Sequence, residues 1–181
     1  MAEYTVKRGI ERMEGVEILR WRIELPRWEG LEEISGFYGE LEEKTVSFCQ
    51  GELKKRAKEA YAACEDPKKR FHFSPMVYRL TGKETARERN LLSVSLEITL
   101  QAGDELLGRE ILGQIFSESE QLLLSPEQAA RAWDGRRLRA AERRQTGGVL
   151  LRDGGLFFKE DFRWILSNPT PKKIKKLAKT S

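Results

Sequence analysis

Histidine occurs once in these 181 residues and cysteine twice. The single histidine, His72, sits between Phe71 and Phe73. On an extended segment it faces away from both, which makes it a structural or solvated strand residue. A triad built on it needs a nucleophile and a supporting carboxylate, and there is no G-x-S-x-G elbow. Zinc takes three or four ligands, usually in close pairs. One histidine and two distant cysteines do not supply them. The Gly-Lys of "LTGKET" lacks the earlier glycine of a phosphate-binding loop, and Glu84 stands where that loop needs Ser or Thr. Among the 29 carboxylates nothing singles out a glycosidase-like pair. The leading expectation is a chain that is not an enzyme and holds no cofactor or metal. An enzyme with an unrecognised carboxylate site is kept as an alternative.

No stretch approaches 18 consecutive apolar residues, so no transmembrane helix is expected. The opening "MAEYTVKRGIERMEG" has no apolar core of a secretory signal. The chain as given reads as cytoplasmic, and as extracytoplasmic if an export segment has been removed. Cys49 and Cys64 are 15 positions apart, about 22 Å along one helix. A disulfide needs Cα atoms within about 7 Å. Two free thiols acting as small buried hydrophobes are expected.

Hydrophobic residues make up 39% of the chain and charged residues 34%, with 8 Phe, 4 Trp and 4 Tyr. That is polar for a globular chain, yet rich enough in aromatics to build a core. The clearest signal is "LLSVSLEITL", where Leu92, Val94, Leu96, Ile98 and Leu100 alternate with polar residues. Such alternation predicts a half-buried strand. Gly103-Asp104 then predicts a hairpin turn, followed by a strand from Leu106 to Phe116 in which Gly108 and Gly113 suggest a bulge. Val16 to Pro26 is a second alternating strand, ended by Pro26. Leu31 to about Glu65 has three- and four-residue apolar spacing and predicts one long helix, weakened at Gly36, Gly39 and Gly51. Phe71 to Gly82 predicts another strand, with "KETARERN" as a polar connection. Ser125, Pro126 and Gln128 form a capping-box helix start. That helix runs to Trp133, breaks at Asp134-Gly135 and resumes to Arg144. "VLLRDGGLFF" predicts a hairpin at Asp153-Gly154, and "EDFRWIL" a last strand or short helix.

The net charge of +4 is unevenly placed. The stretch Ser167 to Ser181 has five lysines and no acid, while the remainder has 28 basic and 29 acidic residues. That tail is expected to be a mobile, solubilising end, or else a hook for anionic surfaces. The densest basic run is "RAWDGRRLRAAERR", with Arg131, Arg136, Arg137, Arg139, Arg143 and Arg144. Guanidinium forks bind phosphates and carboxylates. These six are the candidate binding residues, for nucleic acid or an acidic partner. The alternative is a solvated helix face. No stacking aromatics accompany them.

The strand ending at Leu25-Pro26, the long helix, "SPMVYRLTG", "LLSVSLEITL", a strand ending at Ile115-Phe116, the "LSPEQ" helix start and "GGLFFKEDFRWIL" follow one another in a familiar order. In this order the chain resembles the RsiV-like domain of unknown function. That domain is the extracytoplasmic part of RsiV-type anti-sigma factors and also stands beside peptidoglycan deacetylase domains. The likeness spans about residues 16–166, taken here as one domain, with residues 167–181 as the tail. The turn Gln101-Ala102-Gly103-Asp104 departs from the Gly-Gly-Ala-His-like turn frequent in that family. The resemblance implies an α+β domain that binds or senses a protein or cell-wall ligand and catalyses nothing. No family binding residue is carried over. The expected fold is α+β: a twisted, mostly antiparallel sheet packed against one long helix and a second, shorter helix. A nucleic-acid-associated protein, using the arginine run and the lysine tail, is the rival reading. The oligomeric state is left open.

Overall fold

A computed structural model describes residues 1–66, 69, 70, 72–135, 149–152 and 155–158. Strands β1 (Glu3–Met13) and β2 (Val16–Arg27) lead into helix α1 (Glu32–Phe48). A π-helical turn (Cys49–Leu53) joins α1 to α2 (Lys54–Ala62). Then come β3 (Met76–Glu88), β4 (Leu91–Ala102), β5 (Glu105–Ser117) and the short β6 (Leu122–Leu123). Helix α3 (Pro126–Asp134) and the hairpin β7 (Val149–Arg152) and β8 (Gly155–Phe158) complete the described elements. Strands β1 to β6 form one sheet in sequence order, and β7 and β8 form a second. The architecture is α+β, as expected.

The chain reverses at each strand junction except one. β2 and β3 run parallel, and the long helix carries the chain back between them, as a parallel pair requires. The helix rests on one face of the sheet. There Leu92, Val94, Leu96, Ile98 and Leu100 are all buried, none more than 4% exposed. They meet Ile23, Leu25, Leu80, Ile34, Tyr38 and Leu53 in one core. The alternation of β4 therefore faces where it was expected to face.

The helix is continuous through Gly36 and Gly39 but widens at Cys49–Leu53, around Gly51. Its apolar positions explain why. Leu41, Thr45, Cys49, Leu53 and Ala57 are spaced by four. Each step of four turns the stripe about 40° around an ideal α-helix. The wider π turn takes up that drift, and Cys49, Leu53 and Ala57 all stay in the core. Cys49 and Cys64 are both buried and free.

A second, smaller core lies on the opposite face, at one end of the sheet. Leu91 and Ile115 meet Ala129 of α3 and Leu151 of β7. The predicted capping box is present: Gln128 N donates to Ser125 Oγ at 3.3 Å, and Ser125 N donates to Gln128 Oε1 at 2.8 Å. Gly135 closes α3 in the left-handed conformation. The Gly103-Asp104 hairpin also forms, with a register shift between Leu100 and Gln101 opposite Gly108.

Several expectations need correction. "KETARERN" is not a connection: β3 continues to Glu88, pairs with β4, and turns at Arg89-Asn90, both with positive φ. The polar residues of this half are compatible with a strand because Lys83, Arg87 and Glu88 stay exposed and Thr85 bonds to Ser93 and to the Leu151 carbonyl. β2 runs one residue past Pro26, to Arg27. His72 lies in an exposed turn before β3, its N–H donated to the Lys69 carbonyl at 3.1 Å, not on a strand. β1 lies outside the proposed residues 16–166 yet pairs along the whole of β2. The resumed helix to Arg144, the segment "EDFRWIL" and the lysine tail fall outside the described residues.

Candidate functional site

The groups with chemistry in them are scattered or buried. Tyr61 Oη donates to Glu14 Oε2 at 3.0 Å at the edge of an open hollow of about 510 Å³, lined by Gly15, Arg20, Phe73 and Pro75 among others. Its hydroxyl is pushed up chiefly by burial and then by the bond to Glu14. Under the π turn, Cys49, Tyr78 and Glu110 approach one another inside the core, all but fully enclosed. Burial pushes the Cys49 thiol up to about 12. It also raises the Tyr78 hydroxyl, helped by Cys49 and Glu110. A thiol held protonated and out of water is a poor nucleophile. Among the described residues no group of three or more His, Cys, Asp or Glu is placed to hold a metal ion. No described helix is long and apolar enough to cross a membrane.

Of the six candidate arginines, Arg131 is on α3, exposed, 3.4 Å from Glu127 one turn earlier. Arg136, Arg137, Arg139, Arg143 and Arg144 lie outside the described residues. A different set of basic side chains comes together on the sheet.

The face of the sheet away from the long helix is covered by α3 and β7 only at the end near Leu91 and Ile115. The rest is open. There the register sets Arg8 of β1 opposite Arg22 of β2, Arg22 beside Arg79 of β3, Arg79 opposite Thr99 of β4, and Thr99 opposite Arg109 of β5. Paired residues on neighbouring strands project from the same face. Strands are about 4.8 Å apart, so this is a row of four guanidinium groups spanning five strands. Arg20 stands one step along the same face, between Ile10 and Val77. Arg8, Arg20, Arg22, Arg79 and Arg109 are all exposed.

Three of these arginines are partly neutralised. Arg22 meets Glu24 at 2.7 Å, Arg109 meets Glu97 at 2.7 Å, and Arg20 meets Glu17 at 2.9 Å. All three guanidiniums are more than half exposed, so these pairs hold little energy and leave N–H donors for a ligand. The row is invisible in the linear sequence because its members come from four strands spread over a hundred residues. Only strand pairing lines them up.

No protein-family model matches the sequence, and no curated protein matches it. Solved structures do. The chain is similar in fold to a DUF3298 family protein from Pseudomonas aeruginosa PAO1. The TM-score is 0.50 at 12% identity, over 86% of this chain and 80% of that one. A member of the DUF3298 family from Bacteroides fragilis NCTC 9343 also aligns, with a TM-score of 0.42 at 13% identity, over 68% of this chain and 59% of that one. The first likeness speaks for the fold.

Proposed function

We propose that this chain is a non-enzymatic binding domain of the RsiV-like kind, and that the open face of its sheet is the contact surface for an acidic ligand. The observation that carries this reading is the in-register row of Arg8, Arg22, Arg79 and Arg109. Forked donors at strand spacing suit carboxylates or phosphates presented along one line. A sheet is a stiff support, so the guanidiniums are arranged before a ligand arrives and little ordering is needed on binding. The resemblance implies a protein or cell-wall ligand.

Titration calorimetry with poly-glutamate and with a DNA duplex, at low and high salt, tests the reading. Poly-glutamate should bind, and Arg22→Glu with Arg79→Glu should weaken it at least tenfold. No binding, or binding indifferent to that double reversal, overturns the surface. If the duplex binds at least tenfold tighter and the effect is lost with Arg136, Arg137 and Arg139 changed to Ala, the nucleic-acid reading replaces it.

A further inference from the structure

β1 is the outermost strand of the sheet, and among the described residues nothing pairs with its outer edge. An exposed strand edge is a row of unmet N–H and C=O groups, and proteins ordinarily blunt it with bulges, prolines, short length or charge. The opposite edge, β5, is blunted: it bulges at Leu107, and β6 covers Phe116 and Ser117. β1 is not shortened. Glu3 to Ile10 hold unbroken register with β2, and the first irregularity comes only at Glu11 and Arg12.

This edge is also firmly held. Thr5 Oγ1 donates to Glu42 Oε2 of α1 at 2.8 Å, and Lys54 Nζ of α2 meets Glu11 Oε2 at 2.6 Å. Gly9 lies flat against the Trp21 indole, leaving no room for a Cβ. A template already rigid costs little to pair with.

Its chemistry is selective. On the open face Tyr4, Val6 and Ile10 are 44–48% exposed, with Arg8 between Val6 and Ile10. Apolar side chains left in water on a free edge invite a partner strand. Arg8 sets which one. A second copy of β1, paired antiparallel about Lys7 or Arg8, would put like charges opposite each other, which is destabilising. A strand with a carboxylate opposite Arg8 gains instead.

We propose that β1 is a strand-addition site. An extended segment of a partner protein, with an acidic residue flanked two positions away on each side by apolar ones, pairs with Glu3 to Ile10. It sets a carboxylate against Arg8 and apolar side chains against Val6 and Ile10. Backbone hydrogen bonds supply the affinity and the alternate side chains the selectivity. This rests on the open face being the contact surface, and narrows it to one edge and one kind of ligand.

The probe is a capped synthetic peptide of ten residues in which threonine fills every second position and the positions between carry one glutamate with valine on either side of it. In hydrogen-exchange NMR of the full chain it should slow the outward-facing amides of β1 at least tenfold. N-methylating one alternate set of peptide amides should abolish this, and methylating the other set should not. Arg8→Glu should weaken binding at least tenfold, and the same peptide with lysine in place of the glutamate should not bind. Arg8→Gln, which removes charge while keeping length, should give an intermediate loss and guards against a folding defect in the reversal. Absence of protection on β1, or binding indifferent to either methylation, overturns strand addition. Poly-glutamate separates the two claims. If it still binds through Arg22 and Arg79 while the peptide leaves β1 unprotected, only strand addition falls. If its binding survives the Arg22→Glu, Arg79→Glu reversal, the surface reading falls with it.

Discussion

Ser93 Oγ accepts a hydrogen bond from the Leu151 backbone N–H at 2.9 Å, with Ser93 fully buried. The bond spans 58 positions and fastens β7 to the open face of the main sheet. Thr85 Oγ1 joins it, donating to Ser93 Oγ at 2.9 Å and lying 3.0 Å from the Leu151 carbonyl. Ser93→Ala removes the acceptor and leaves a buried N–H unmet, at a cost of about 1–3 kcal/mol. Chemical denaturation of the variant should show that loss. Hydrogen exchange should show Leu151 among the amides most accelerated. An unchanged Leu151 amide would mean that this bond does not hold the hairpin.

Leu96 is 3% exposed at the centre of β4, in the core beneath the long helix. Leu96→Ala should destabilise the domain by about 2–5 kcal/mol, the range for a buried leucine that leaves a cavity. Equilibrium urea unfolding measures it. A cost under about 1 kcal/mol would mean that the helix does not pack on β4.

Gly9 is needed for its missing side chain. A Cβ there would overlap the Trp21 indole, and a well-packed core resists such crowding by about 1–3 kcal/mol. Gly9→Ala should lower the melting temperature and shift the tryptophan emission. Gly15→Ala, with nothing near its missing side chain but a positive φ, is the comparison. It should lose stability through backbone strain while leaving emission unchanged.

Cys49 and its buried neighbours set the alkaline limit. Burial raises the Cys49 thiol from 9.0 to about 12, and raises the Tyr38 and Tyr78 hydroxyls above 10.0. Each folded-state group holds its proton where the unfolded chain has released it. Their contribution is therefore complete below about pH 9 and is lost as pH climbs from there toward 12. The urea midpoint should be flat near neutrality and fall above pH 9. Cys49→Ala should flatten the first part of that fall. Alkylation without reductant should be slow in the native protein and should label both cysteines in denaturant. A Cys49–Cys64 link would contradict the free, buried thiols.

Local pattern alone determined a good part of this molecule. β2 and β4 follow from strict alternation, because a strand with one wet face must bury every second residue. The Ser125–Gln128 capping box and the Gly103-Asp104 turn follow from chemistry within four residues, so no tertiary contact is needed to read them. Even the π turn is foreshadowed by the run of four-residue steps from Leu41 to Ala57. Tertiary structure decided the rest. β1 sets Tyr4, Val6 and Ile10 at alternate positions, but Arg8 interrupts the pattern and the apolar residues face water rather than the core, so the stretch does not read as a strand burying one face. The polar half of β3 was hidden because its strand nature rests on pairing with β4 and on the Thr85 bonds to Ser93 and Leu151, which only the assembled sheet provides. The arginine row depends on register between strands far apart in the chain, and register is a property of the assembled sheet. The arginine run from Arg131 stood out in the sequence because its members are neighbours along the chain. Arg8, Arg22, Arg79 and Arg109 are neighbours only in space.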